Sequence, residues 1–247
     1  MPSSPASSSS NPLAARCLGC GREFETEQVV LLGQTFAAER YCELCRAAEE
    51  VVDEQRRAET RWARVQVPSA YDDCTFENFE PVPDTRNAIA VCRQWAKEFR
   101  AGTALHQGLL LRGNPGGGKT HLAVAVLREV IWCCEHRKTA LFLNVPAWLN
   151  ALRESYGEGE PPPNPSGYDV VVLDDLGAED WTSWARDRIY NLVNQREQQR
   201  RLVIVTTNHE WRELAARVGG PTASRLRRLT REVHVDARAD YRERDAA

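Results

Sequence analysis

Gly113-Asn-Pro-Gly-Gly-Gly-Lys119-Thr120 follows the apolar run Leu109-Leu-Leu111 and leads into His121-Leu-Ala-Val-Ala-Val-Leu127. The pattern is GxxxxGK[ST] in full. Its glycines let a loop wrap so that backbone N–H groups point inward at phosphate oxygens, while the following helix presents its positive N-terminal end. A lysine at position 119 reaches the β- and γ-phosphates, and a threonine hydroxyl at 120 ligates Mg²⁺. Gly113, Asn114, Pro115, Gly116, Gly117, Gly118, Lys119, Thr120 and His121 are therefore the candidate nucleotide-binding residues, with ATP and Mg²⁺ as cofactors. A chance glycine-rich turn is the bland alternative, and it weakens once the downstream sequence is read.

Tyr168-Asp-Val-Val-Val-Leu-Asp174-Asp175 reads as a buried strand ending in two acids. Beside a phosphate loop, the first carboxylate suits the Mg²⁺ hydration shell. The second suits an attacking water, which it can orient or deprotonate. Asp174 and Thr120 are thus the Mg²⁺ candidates and Asp175 the catalytic one. A further apolar run, Leu202-Val-Ile-Val205, ends in Thr206-Thr207-Asn208. In a doubly wound sheet the carboxyl ends of strands face the ligand. Thr207 or Asn208 can then bridge the second acid and the water, or cap the next helix instead.

Outward from these motifs, strand and helix patterns alternate. Strands are expected at 109–111, 140–143, 170–173 and 202–205. Helices are expected at 85–99, 121–136, 147–156, 183–200, 211–217 and 222–229. Near-continuous apolar strands between helices imply an α/β fold with a parallel sheet covered on both faces. Residues 157–167, acidic and proline-rich, read as a flexible loop. No internal repeat is present.

The 247 residues carry a net charge of −3, with 42% hydrophobic and 27% charged residues, which suits a packed domain and excludes a globally basic nucleic-acid binder. Apolar stretches fall short of the roughly 18 residues a membrane span requires, and the Ser/Pro-rich start has no secretory pattern. A soluble, cytoplasmic protein without a membrane partner is expected. Of 32 basic residues all but Lys97, Lys119 and Lys138 are arginine, so the loop lysine is a rare choice in this chain.

Cys17, Cys20, Cys42 and Cys45 form two CxxC pairs with 21 residues between them. Two such pairs on tight turns bring four sulfurs to one tetrahedral Zn²⁺, closed to further ligands and hence structural. Val29–Leu32 is expected to form a hairpin under the metal. The chain then divides into a disordered tail (1–14), a zinc ribbon-like module (15–47), an exposed helical linker (48–67), an ATPase domain (68–243) and a short tail (244–247).

The ordered set of motifs resembles the AAA+ helicase loaders of the DnaC/DnaI type and the related IstB-like ATP-binding proteins. It comprises Thr75-Phe-Glu-Asn-Phe79, the phosphate loop, VVVLDDLGAED, Trp184 with Tyr190-Asn191, VIVTTNHEW, Thr222-Ala-Ser-Arg225-Leu and Asp240-Tyr-Arg242. The likeness covers about residues 68–243. It implies a P-loop NTPase fold without a C-terminal lid domain. It also implies a homo-oligomeric ATPase acting on the replicative helicase and single-stranded DNA. By the resemblance, Arg225 is the arginine finger reaching a neighbour's γ-phosphate, Asn208 is sensor I and Arg242 is the cis arginine, sensor II. Phe76 or Phe79 would pack near adenine. The helical segment 145–156, with Trp148, Arg153 and Tyr156, would contact single-stranded DNA. The zinc module would match the helicase-binding region by kind and location. Asp175 stands where many AAA+ ATPases carry Glu. A transposition helper ATPase and a zinc adaptor with a slow ATP switch are the alternatives.

Overall fold

The computed structural model describes residues 12–32, 34–103, 107–132, 138–157 and 159–236. The chain forms two compact units, residues 1–57 and 58–247.

The second unit is built on five parallel strands: β5 (Gly108–Arg112), β6 (Ala140–Asn144), β7 (Val170–Asp174), β8 (Leu202–Thr207) and β9 (Thr230–His234). In space they run β6-β7-β8-β5-β9. Because side chains alternate across a sheet, Leu109, Leu111, Phe142, Val170, Val172 and Ile204 face one side. Leu110, Leu141, Leu143, Val171, Leu173, Val203 and Val205 face the other. Helices α2 (Arg86–Arg100) and α3 (Lys119–Trp132) cover the first side. Helices α4 (Val145–Glu154), α5 (Ser183–Gln198), α6 (Trp211–Val218) and α7 (Gly220–Leu229) cover the second. Burial on both faces explains why the strands read as unbroken apolar runs. In α2 the buried positions are Ala88, Cys92, Trp95 and Ala96, one helical stripe.

The order also fixes where a ligand goes. From β5 the chain crosses to the far edge at β6, returns strand by strand to β8, and later places β9 on the other side of β5. The reversal lies between β5 and β8, and the crevice at such a switch point is where open α/β sheets bind ligands.

Several expected boundaries move for identifiable reasons. The expected helix 121–136 starts earlier, at Lys119, and is described to Trp132; positions 133–137 lie outside the described residues. Helix α4 starts at Val145 rather than 147 because Asn144 Oδ1 caps it by accepting the Ala147 N–H at 3.2 Å. Helix α7 starts at Gly220. Thr222 lies buried in its first turn and does not cap it. Strand β9 is absent from the expectations because Thr-Arg-Glu-Val-His carries little apolar signal. It is an edge strand paired only with β5, and of its side chains Thr230 and Val233 alone are buried.

The region expected to be an exposed linker is partly core. Helix α1 (Glu43–Ala63) ends in a turn where Ala58 and Trp62 are buried, and Val65 follows fully buried. The Val65 carbonyl accepts the Phe142 N–H at 2.8 Å, closing the free edge of β6. In the first unit, β1 (Leu13–Arg16) pairs with β2 (Glu23–Thr26), so the expected disordered tail overlaps a strand by two residues. A hairpin of β3 (Gln28–Leu31) and β4 (Gln34–Ala37) follows. Val29, Val30, Leu32 and Phe36 are exposed on it, so these side chains do not form a floor for a metal.

The proline-rich loop is pinned at its far end. Arg196 of α5 is 1% exposed and has no carboxylate contact; its guanidinium donates to the carbonyls of Pro165, Tyr168, Asp169 and Leu202 at 2.5–3.1 Å. Burial lowers its pKa to about 10, still charged at neutral pH. Arg201 adds a bond to the Ser166 carbonyl. An Arg196→Ala substitution leaves four carbonyls short of a donor. It is expected to lower stability by about 3 kcal/mol or more, read from urea unfolding.

Candidate nucleotide site and cysteine cluster

The phosphate loop leaves β5 at Arg112 and enters α3 at Lys119. Three of its glycines leave no room for a side chain, and at Gly117 an added Cβ would lie 2.5 Å from the Val235 carbonyl. At Gly113 (φ +153°) an added Cβ would collide with the Val235 carbonyl and, at 2.5 Å, with Asp236 Oδ1. At Gly118 (φ +86°) it would meet the Phe79 ring at 2.5 Å. The turn after β9 is thus pressed against the loop, and Asp236 Oδ1 accepts the Asn114 N–H at 3.2 Å. Lys119 is buried, and its ammonium donates to the carbonyls of Gly113 (2.9 Å) and Asn114 (2.6 Å).

A cleft of about 450 Å³ opens beside the loop. One wall is Pro115, Gly116 and Gly118 through His121; another is Tyr71, Cys74, Asn78 and Phe79; Asp175 and Asn208 stand opposite. Thr75-Phe-Glu-Asn-Phe79 holds its shape through a compact side-chain turn. Asn78 Oδ1 accepts from the Thr75 N–H (2.8 Å) and hydroxyl (3.0 Å), and Thr75 Oγ1 accepts the Glu77 and Asn78 N–H groups at 3.2 Å. Both of its phenylalanines are buried in the core, Phe76 under the Arg93 guanidinium. Phe79 also lines the cleft, edge-on to His121 at 5.0 Å. His121 Nε2 lies 2.7 Å from the Thr75 carbonyl, and burial lowers its pKa, favouring the neutral ring. It buttresses the aromatic wall.

Behind the cleft-lining Thr120 lies a buried carboxylate. Asp174 Oδ1 accepts the hydroxyls of Thr120 (2.8 Å) and Thr206 (2.7 Å), and Asn144 also bonds its side chain. Burial raises the Asp174 pKa despite these bonds, so a cation here would offset the cost of its charge. Thr120 and Asp174 are the pair expected for Mg²⁺, and a hard oxygen donor set of this kind fits that ion. Asp175 adopts φ +55°, left-handed backbone that Asp and Asn enter more readily than Glu. That preference is a physical reason for aspartate at this position.

The strand-end polar residues divide their work differently from the sequence expectation. Thr207 is fully buried and gives its hydroxyl to the Leu176 carbonyl at 2.7 Å, a structural bond. Asn208 is exposed and lines the cleft. Thr206, which the sequence did not single out, links the acids: its hydroxyl donates to Asp174 and its oxygen accepts the Asp175 N–H at 2.9 Å. Its only sequence signal was its place at the end of a strand beside the loop.

Two expected residues lie away from the cleft, and a third is not described. Arg225 is on α7 against α5 and does not line the cleft. Arg242 lies outside the described residues. Trp148 is buried in the core and so is removed from any nucleic-acid surface. Arg153 and Tyr156 instead gather with α5. The Arg153 and Arg188 guanidinium groups lie 4.8 and 5.9 Å from the Trp184 ring centre, and Tyr156 meets that ring edge-on at 6.2 Å.

In the first unit the sulfur atoms of Cys17, Cys20, Cys42 and Cys45 all lie within 4.8 Å of one another. A tetrahedron with metal–sulfur bonds of about 2.3 Å has edges of about 3.8 Å; Cys20 and Cys42 are 3.7 Å apart. The Cys42 N–H donates to Cys17 Sγ at 3.2 Å and is the main influence drawing that thiol down to about 6, whereas hydrogen bonds donated by the Cys45 thiol to Cys20, Cys17 and Cys42 push Cys45 up to about 12. Four thiols so placed fit Zn²⁺.

A family model described as IstB-like ATP binding protein matches residues 27–244. The replicative helicase loader DnaC of Escherichia coli (strain K12) is 24% identical over 187 residues, covering 73% of this chain and 74% of the loader. The DnaC loader of Buchnera aphidicola subsp. Schizaphis graminum is also 24% identical, over 66% and 67% of the two chains. Among solved structures, the DnaC helicase loader superposes with a TM-score of 0.61 at 25% identity, over 68% of this chain and 99% of that one. DnaI superposes at 0.60 with 21% identity, over 73% and 98%.

Thr206→Val separates the two roles of that hydroxyl from simple bulk. It leaves the Asp175 N–H unsatisfied and removes one of two hydroxyls from Asp174. A stability loss of about 1–3 kcal/mol is expected from chemical denaturation, against well under that for Thr206→Ser.

Proposed function

The chain belongs to the IstB-like ATP-binding protein family, and from that premise we propose that it is an ATP-dependent loader of the replicative helicase onto single-stranded DNA. The observation that carries the reading is the gathering of the phosphate loop, Asp175 and Asn208 around one cleft, with Asp174 bonded to Thr120 of that loop. The likeness to helicase loaders over most of both chains supports the biological role.

ATP enters with its base against Phe79 and its phosphates along the loop. Lys119 exchanges the Gly113 and Asn114 carbonyls for phosphate oxygens, and the N-terminal end of α3 adds favourable dipoles. Thr120 and Asp174 would hold Mg²⁺, which would neutralise charge on the phosphates. Asp175 orients and deprotonates the attacking water, and Asn208 fixes that water from the neighbouring strand. Arg225 of one subunit completes the site of the next, and Arg242 acts in cis. Hydrolysis therefore follows assembly.

The remaining surfaces take the partners. The domain boundaries proposed are a zinc module at 15–47, a helical connection at 48–67 and the ATPase domain at 68–243. Zn²⁺ on the four cysteines holds the module, whose exposed Val29, Val30, Leu32 and Phe36 offer an apolar grip for the helicase. Arg153, Tyr156, Trp184 and Arg188 combine cationic and aromatic groups suited to phosphates and unstacked bases. Among the described residues no helix is long and apolar enough to cross a membrane.

Lys119→Ala is expected to abolish tight ATP binding. Asp175→Asn, which keeps the left-handed backbone available, should bind ATP normally and stop turnover. Equal loss of binding in both, by calorimetry, would refute this division of labour. Elemental analysis of chelator-free protein should return one zinc per chain, and Cys42→Ser should unfold the first unit with nucleotide affinity unchanged; such metal sites contribute on the order of 10 kcal/mol to folding. The function itself is read by loading the organism's own replicative helicase onto circular single-stranded DNA. Val30→Asp/Leu32→Asp should lose helicase capture at full zinc content. No capture by the wild-type chain, together with ATPase stimulated by duplex DNA, would favour a transposition helper.

A further inference from the structure

The residue expected to act on a neighbouring subunit is tied down within its own. Arg225 side-chain Nε lies 3.1 Å from Asn194 Oδ1 and 3.2 Å from Glu197 Oε2. Its Nη1 donates to the Pro221 carbonyl at 3.2 Å and its Nη2 to the Tyr190 hydroxyl at 3.3 Å. The guanidinium carbon sits 4.8 Å from the Tyr190 ring centre. Neither ion-pair partner is freely solvated, with side-chain exposures of 22% for Arg225 and 27% for Glu197. Three of the five guanidinium N–H donors are thus held by its own chain, and swinging the head group toward a neighbour's phosphate means breaking these bonds. Of the acceptors, Glu197 alone is charged, and it has a second claimant: Arg228 Nε and Nη2 reach Glu197 Oε1 at 2.9 and 2.7 Å.

We propose that Glu197 is a positioning residue for the arginine finger: it holds Arg225 against α5 in the single subunit, and Arg228, by competing for the same carboxylate, sets how readily it lets go. This rests on Arg225 being the finger. On assembly, the neighbour's γ-phosphate offers oxygen acceptors with more charge than one shared carboxylate. Arg225 then exchanges Glu197 for phosphate, and Arg228 keeps Glu197 satisfied. The carboxylate thus suppresses finger activity at low subunit concentration without being needed for the chemistry. No group of the cleft touches Glu197, so its effect must pass through Arg225.

The experiment is ATPase rate against protein concentration for the wild-type chain, Glu197→Gln, Arg228→Ala, Arg225→Ala and the Glu197→Gln/Arg225→Ala double variant. ATP affinity and melting temperature are measured alongside. Glu197→Gln, nearly isosteric, should lower the protein concentration for half-maximal rate about fivefold, with the plateau rate and ATP affinity unchanged. Arg228→Ala, at an exposed position, leaves Glu197 to Arg225 alone and should shift the midpoint the other way. In the Arg225→Ala background Glu197→Gln should have no effect. If Arg225→Ala is inactive but Glu197→Gln leaves the midpoint unchanged or raises it, the holding role is overturned and the finger stands. If Arg225→Ala matches wild type, the finger reading falls and the holding role with it. Should Glu197→Gln fold poorly, Arg228→Ala carries the test, and an unchanged midpoint there overturns the proposal.

Discussion

A carboxylate buried at the end of an apolar parallel sheet is tolerated only if its neighbours satisfy it, and Asp174 organises much of this molecule around that requirement. Two hydroxyls converge on one of its oxygens, one from the first turn of α3 and one from β8. The first ties the helix that follows the phosphate loop to β7. The second aligns β8 beside β7 and, through the Asp175 N–H, sets the backbone of the next residue. One hydrogen-bonded node therefore fixes the relative placement of the loop, Thr120, Asp174 and the second acid. The same desolvation that makes the node costly raises the Asp174 pKa and primes the site for a cation.

The strand order extends this constraint into a site. With β5 flanked by β8 and β9, the loop after β5 has the polar end of β8 on one side and the turn after β9 on the other. Val235 presses close enough to exclude a side chain at Gly113, and Phe79 does the same at Gly118. The glycines of the loop thus serve the protein's own packing as well as the approach of a phosphate. Charge is balanced there too: Arg112, at the end of β5, pairs with Glu210 and Glu232 from either side, binding the three strands' ends beside the loop.

The second unit and the first are held by different physics. The second buries two continuous apolar faces. The first has few buried residues, exposes several large apolar side chains, and brings four sulfurs together. A module of that size lacks the core to stand alone, and the four gathered sulfurs are where a metal would supply part of the stabilisation. Freed from packing, its apolar side chains remain available to a partner.

From the sequence alone, the parallel α/β architecture was legible because strands buried on two faces must be apolar throughout. The phosphate loop, Asp174, Asp175 and the four cysteines were legible because their chemistry requires fixed residue types at fixed spacing. What sequence spacing did not contain, tertiary structure supplied. Thr206 and Thr207 are adjacent identical residues, yet the alternation of a strand sends one hydroxyl to the acids and the other to a carbonyl. Phe76 and Phe79 are both buried in the core, but only Phe79 also borders the cleft, a difference set by the turn between them. Strand β9 was hidden because an edge position frees most of its side chains from apolar selection. Arg225 read as a residue reaching outward, but α5 lies within reach and offers it acceptors, a fact set by long-range packing that no local pattern records.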